Sequence, residues 1–186
     1  MSAFVIREAG INDFPAITQI YARWVNEACG TFELIPPIET EMRARFAYVR
    51  ALGMPYLVAV KDDQVIGYAY AGPFRAREAY RYMVEDSIYI APEATGMGVG
   101  GALLDRLIAA CEQFGVRQMA AVIGDSENES SIALHRSRGF VDSGRFTAAG
   151  WKHDGWRDVI FMQRPLGDGE KSAPSAPGLP LRDNGK

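Results

Sequence analysis

Between Thr95 and Leu104 the chain reads TGMGVGGALL, placing Gly96, Gly98, Gly100 and Gly101 close together before apolar residues at helical spacing. Bare backbone at the start of a helix approaches a ligand closely. The first N–H groups of that helix have no partner within it, so the turn suits an anion, above all a diphosphate. Upstream, VEDSIYI carries adjacent carboxylates at Glu85 and Asp86, followed by Ser87. On a strand their side chains take opposite faces, so only one of the two carboxylates can face a given amine as a general base. Arg75, Ala76 and Arg77, with Tyr80 close behind, put two guanidinium forks in one loop. Such forks suit carboxylate or phosphinate oxygens. Downstream, Asn128 opens NESSIALHRSRGF, a place where Asn is an ordinary helix cap. His135 follows as an imidazole able to give or take a proton near neutral pH.

Each feature also has a structural reading. A glycine turn can serve tight packing alone, Glu85 can face solvent, an Arg-rich loop can be merely solvated, and a lone His can sit between helix and sheet. Three ligands compete for the glycine turn. A nucleoside-triphosphate loop needs Lys then Ser or Thr after its last glycine, and Ala102 and Leu103 stand there instead. Gly96-x-Gly98-x-x-Gly101 matches a dinucleotide fingerprint, and Asp125 lies near where its ribose-binding acid falls. That motif, however, opens a doubly wound domain, and here helices and strands precede it while too little chain follows. The pyrophosphate of coenzyme A remains.

The elements that must position these groups follow from periodicity. AFVIREA reads as a strand, and Asn12 as the cap of a helix carrying Phe14, Ile17, Ile20, Tyr21, Trp24 and Val25. After the Pro-rich loop FELIPPIET, Met42, Phe46 and Val49 mark a second helix that stops near Gly53. YLVAV and VIGYAYAG form a hairpin about Lys61–Gln64, and VEDSIYIA leads into the glycine turn. Leu103, Leu104, Leu107, Ile108 and Cys111 line the next helix, QMAAVIG is a strand, and SSIALHRSRG is a short helix stopped by Gly139. FVDSGRF and WRDVIFMQR close the order as two strands, with Trp151, His153 and Trp156 in an aromatic turn between them that lines either the pocket or a dimer contact. This order predicts an α/β (α+β) domain with a mixed sheet and helices on both faces. From Gly167 onward Gly, Pro, Ser and Lys dominate, so residues 167–186 are expected to be a disordered tail behind a domain at 1–166.

The bulk properties bound the function. A chain of 186 residues is one domain with a sizeable core. A net charge of −3 argues against nucleic acid or an anionic membrane as partner. No apolar run is long enough to cross a bilayer and the N-terminus lacks a basic-then-apolar pattern, so a cytoplasmic location is expected. Cys29 and Cys111 both fall in helical patterns and read as reduced thiols. His135 and His153 are not clustered with other ligands, so no metal site is expected.

IYIAPEATGMGVGGALLDRLI, with NESSIALHRSRGF beyond it, resembles the GNAT N-acetyltransferase superfamily, whose acyl-CoA loop reads Gln/Arg-x-x-Gly-x-Gly/Ala. Thr95 stands where Gln or Arg is usual, which weakens a side-chain contact and leaves the backbone cradle. YAYAGPFRAREAYRYMVEDSIYI, AAVIG and AAGWKHDGWRDVIFMQR resemble the phosphinothricin and methionine sulfone/sulfoximine acetyltransferases within it, over residues 3–165. The resemblance implies a GNAT fold with a mostly antiparallel sheet, acetyl-CoA as donor and no metal. It implies acetyl transfer to the α-amine of a small amino-acid analogue by direct attack in a ternary complex, and a homodimer. Glu85 is then the base. Ile88, Tyr89 and Ile90 lie on a splayed strand, with the Ile90 N–H as oxyanion donor. Gly96, Met97, Gly98, Val99, Gly100 and Gly101 hold the cofactor together with Asn128, Ser131 and Ser137. His135 occupies the place of a superfamily Tyr that protonates the leaving thiolate, or assists with the amine. Phe32, Arg75, Ala76, Arg77, Tyr80, Asp86 and Ser87 surround the acceptor. Two other readings stand beside this one. A GNAT enzyme for another amine (a protein N-terminus or a polyamine antibiotic) is disfavoured by the sign of Arg75 and Arg77. A non-catalytic acetyl-CoA-binding module is disfavoured by Glu85 and the glycine loop.

Overall fold

Period-two runs of β-branched and aromatic residues form the strands here, and 3.6-period apolar stripes form the helices that cover them. The computed structural model describes residues 4–181. In chain order they form β1 (Val5–Glu8), α1 (Phe14–Glu27), α2 (Glu39–Ala51), β2 (Tyr56–Lys61), β3 (Gln64–Pro73) and β4 (Met83–Ile90). Then come α3 (Val99–Phe114), β5 (Gln118–Gly124), α4 (Glu129–Arg136), β6 (Val141–Lys152) and β7 (Gly155–Pro165). The strands make one seven-stranded sheet in the order β1-β2-β3-β4-β5-β7-β6. Its pairings are antiparallel except β4 with β5.

Alternation along the strands sorts the core into two layers. On one face Tyr56, Tyr68 and Tyr70 stack with ring separations of 4.8 to 6.5 Å. Tyr89 joins Tyr68 and meets Tyr21 of α1 edge-on at 4.9 Å. Phe14 and Phe46 extend this layer from α1 and α2. The opposite face carries α3, whose Leu103, Leu104, Leu107 and Cys111 are fully buried, and α4 beside it. Burial of this kind contributes about 1.5–3 kcal/mol per large side chain.

Several expectations need correction. Asn12 does not cap α1. A 3-10 turn at Ile11–Asp13 precedes the helix, and the Asp13 carboxylate instead accepts from the Gly10 N–H at 2.7 Å and from Arg7 at 2.7 and 2.8 Å. Cys29 lies in the loop after α1, whereas Cys111 is helical; both are free. β6 runs on to Lys152, so Trp151 and Trp156 are strand residues paired across the hairpin at 5.4 Å, exposed and outside the cleft described below. His153 and Asp154 make the actual turn with positive φ. Residues 167–181 make specific contacts: Leu179 is buried and its N–H bonds the Arg81 carbonyl at 2.8 Å. Tyr82 donates to the Ala176 carbonyl at 2.8 Å, and Arg117 donates to the Gly169 and Ala173 carbonyls. Composition undercounted these few anchors. The remainder of that tail, 182–186, lies outside the described residues.

Candidate active site

The site begins with a register failure. β4 and β5 pair in parallel only through Met83↔Gln118, Val84↔Met119 and Glu85↔Ala120, and then diverge. β3 stays paired with β4 through Ile90. Antiparallel ladders alternate, so which β4 amides are free can be worked out. The Ala91 N–H bonds Ile66 and the Phe74 N–H bonds Met83, which makes Gly67↔Ile90 and Pro73↔Val84 the non-bonded pairs. Val84, Asp86, Ile88 and Ile90 therefore turn their own N–H and C=O groups away from β3, toward β5. Beyond Glu85, β5 no longer meets them. Trp24 Nε1 donates to the Ile90 carbonyl at 3.0 Å, leaving the main chain of Ile88 and the N–H of Ile90 facing the gap.

At the mouth of that gap lies the glycine turn. Gly96 and Gly98 hold φ of +77° and +82°, the left-handed region, and nothing lies near either Cα where a side chain would project. Gly98 is the residue before α3, so the first N–H groups of that helix stand open. Thr95 turns its hydroxyl back onto the Pro92 carbonyl. Gap and turn form one cleft of about 500 Å³, lined by Glu85 through Ile90, by Gly96 and Gly98–Gly101, and by Asn128, Ser131 and His135. The size is that of a small-molecule or cofactor site. Open amides, left-handed glycines and an unpaired helix start fit an elongated acyl carrier with a diphosphate.

Glu85 and Asp86 face opposite ways, as the alternation requires. Glu85 shares its face with Ser87 and Tyr89, the α1 side. Burial, then the neighbouring charge of Asp86, push its carboxyl up to about 7, against a downward pull from Arg75. A carboxyl in that range exchanges protons near neutrality. Asp86 faces α4, where its Oδ2 lies 3.0 Å from Nε2 of His135, and the two side chains are only 2% and 5% exposed. His135 Nδ1 donates to the Ser131 carbonyl at 2.8 Å. Both ring nitrogens thus have partners within the protein, and His135 also lines the cleft. Asp86 is correspondingly removed from the acceptor side.

Other expected contacts fall outside the cleft. Ser137 sits past α4, where its hydroxyl bonds the Leu134 carbonyl at 2.6 Å and accepts from Arg138 at 2.7 Å. It faces a separate groove with Asp105 and Arg164. Met97 points outward and is 39% exposed. Arg75, Ala76, Arg77 and Tyr80 are exposed on the β3–β4 loop, with Arg75 over the Phe74 ring at 5.1 Å. Asn128 keeps both readings: its Oδ1 caps the Ser131 N–H at 3.3 Å, and the residue lines the cleft. Phe32 lines it with Gly30 and Thr31. Sequence reading missed Trp24, Leu134 and Val159 at the cleft wall. Trp24 is marked in the sequence only as one more member of an apolar helix stripe. Among the described residues no group of acidic, His or Cys side chains is placed to hold a metal.

The sequence model of the Acetyltransferase (GNAT) family matches residues 19–140. A phosphinothricin N-acetyltransferase of Alcaligenes faecalis is 49% identical over 172 residues, 92% of this chain and 87% of that one. An L-methionine sulfoximine/L-methionine sulfone acetyltransferase of Pseudomonas paraeruginosa is 39% identical over 91% of this chain and 98% of its own. Among solved structures, a GNAT superfamily phosphinothricin acetyltransferase from Sinorhizobium meliloti in complex with AcCoA superposes with a TM-score of 0.92. It is 48% identical, with 97% of each chain covered.

Proposed function

Because the chain belongs to the GNAT acetyltransferase family, we propose that it transfers acetyl from acetyl-CoA to the α-amine of a small amino-acid analogue of the phosphinothricin, methionine sulfone or methionine sulfoximine type. The observation that carries this is the placement of Glu85, with a pKa of about 7, where the strand carrying the free Ile88 and Ile90 amides parts from its neighbour. Acetyl-CoA, when bound, supplies the thioester that the amine attacks.

The chain's own groups divide the work. The turn at Gly96–Gly101 offers its amides to a diphosphate. The ionised Glu85 accepts the proton of the substrate ammonium, so that the amine becomes a nucleophile. The N–H groups of Ile88 and Ile90 are donors for the negative charge that develops on an acyl oxygen. Glu85 and the gap lie on connected sides of one strand, which supports direct attack in a ternary complex without an enzyme nucleophile. Arg75 and Arg77 draw the acidic end of the acceptor toward the loop above Glu85. Removing the ammonium charge of an amino-acid inhibitor is a way of inactivating it.

A homodimer belongs to the same proposal. It is supported by Phe146, Trp151 and Trp156, large apolar side chains left exposed on the outer hairpin. A cytoplasmic location follows from the need for acetyl-CoA. Among the described residues no helix is long and apolar enough to cross a membrane. The test of the reading is release of CoA thiol from acetyl-CoA with phosphinothricin, methionine sulfone, methionine sulfoximine and ordinary amino acids. Release is expected with the first three and lost in Glu85→Gln. Release only with a polyamine or a peptide N-terminus contradicts the proposal.

A further inference from the structure

Phe32 lies against backbone, where a side chain would ordinarily stand. A Cβ added at Gly150 of β6 would come 2.5 Å from Phe32 Cε2 and 2.6 Å from Cδ2. One added at Gly124, at the end of β5, would come 3.2 Å from Cε1 and collide with the Cys29 carbonyl. Neither glycine has positive φ, so the φ of each suits alanine; at Gly150 the ring stands in the way, and at Gly124 the Cys29 carbonyl does so as well. The loop carrying Phe32 is pinned from the same side, for buried Lys152 donates its ammonium to the Thr31 carbonyl at 2.8 Å.

The sheet register fixes which face this is. Glu85 is the parallel partner of Ala120, so Ala120, Val122 and Gly124 project on the Glu85 face. Gly124 is opposite Val159, and Arg157, two residues before Val159, is opposite Gly150. Glu85, Gly124 and Gly150 therefore share one face, and Phe32 rests on the two glycines at the cleft that Glu85 lines.

We propose that Gly150, with Gly124 beside it, is a specificity-determining position: its missing side chain sets how far Phe32 stands back from the cleft, and hence how long an acceptor side chain fits. This rests on the acetyltransferase reading, with the acceptor on the Glu85 face. In Gly150→Ala the ring must retreat by about 1 Å to regain ordinary carbon–carbon separation, and the sheet leaves it only the cleft side.

The test compares Gly150→Ala, Phe32→Ala and Gly150→Ala/Phe32→Ala. It measures kcat/KM over amino-acid acceptors of increasing length, acetyl-CoA Kd by calorimetry, and the crystal position of residue 32. Gly150→Ala is expected to cost the longest acceptors about 10-fold more than the shortest, the scale of one mismatched methylene, with acetyl-CoA Kd unchanged. Phe32→Ala and the double variant are expected to share one acceptor profile, because removing the ring removes the close contacts of the added methyl. An equal loss for every acceptor, a changed acetyl-CoA Kd, an unmoved ring, or different profiles in the two Phe32→Ala backgrounds overturns the proposal. Should Gly150→Ala not fold, those two backgrounds still decide it. A wild-type protein inactive with every amine contradicts the acetyltransferase reading alone, and the displacement of Phe32 still tests the seat.

Discussion

Asp86 Oδ2 lies 3.0 Å from His135 Nε2 across the buried seam between β4 and α4, and this contact assigns the protons of the ring. Nδ1 faces the Ser131 carbonyl at 2.8 Å, an acceptor only, so Nδ1 carries hydrogen. Nε2 faces the Asp86 carboxyl, which favours a proton there. Burial pulls the His135 pKa down, but the bond to Asp86, its charge and the Ser131 carbonyl together raise it above 6.5. The Cys111 thiol of α3 is pushed up to about 12, first by burial and then by the Asp86 charge. Asp86 Oδ1 is buried without a protein partner.

Asp86→Asn removes the bond and the charge that raise the His135 pKa. Because the folded-state pKa of His135 is raised, its stabilisation is present below 6.5 and is lost as pH rises through that raised value. The variant is expected to lose about 2–4 kcal/mol at pH 6 and less at pH 9, measured by denaturant melts. Nitrogen-15 NMR is expected to show the wild-type His135 keeping its second ring proton to higher pH than the His135 of the variant. A wild-type His135 that loses this proton at the same pH as the variant, or at a lower one, contradicts the pairing.

Acetyl transfer is expected to rise with pH through about 7 as Glu85 ionises. In Glu85→Gln that limb disappears and kcat falls by about 10²- to 10³-fold. Stability moves the other way. Between 4.5 and about 7 the folded protein holds a proton on Glu85 that the unfolded chain has released, so stability from this group falls as pH rises across that window. Glu85→Gln is expected to be more stable than wild type at pH 8 by roughly 3 kcal/mol, and no more stable at pH 4.

Arg75 and Asp86 pull that limb in opposite directions. The Arg75 charge lowers the Glu85 pKa and the Asp86 charge raises it. In pH–rate profiles Arg75→Ala is expected to move the limb to higher pH. Arg75→Ala also raises KM for an acceptor bearing a carboxylate.

Much of this was legible in the sequence for local reasons. The glycine turn, the strand before it and the opposed directions of Glu85 and Asp86 depend on neighbours in the chain. What escaped depends on distance. Nothing near Asp86 signals His135, 49 residues away, and nothing near Phe32 signals Gly150. Ser137 has the spacing of a cofactor residue, but the turn closing α4 bonds its hydroxyl to Leu134 and aims it away. Composition does not show the tail's anchors, because Leu179 and Ala176 meet Arg81 and Tyr82, far away in sequence.

Deleting residues 167–186 is accordingly expected to destabilise the domain by about 2 kcal/mol, the burial of one leucine, seen as a lower Tm with acetyl-CoA affinity retained. An unchanged Tm contradicts the packing of the tail.

The most direct measurement is a crystal structure of the protein soaked with acetyl-CoA. The account predicts the diphosphate on the amides at the start of α3 and the thioester oxygen within hydrogen-bonding distance of the Ile88 or Ile90 N–H, on the strand that bears Glu85. Cofactor lodged outside the gap between β4 and β5, or a thioester turned away from both amides, contradicts it.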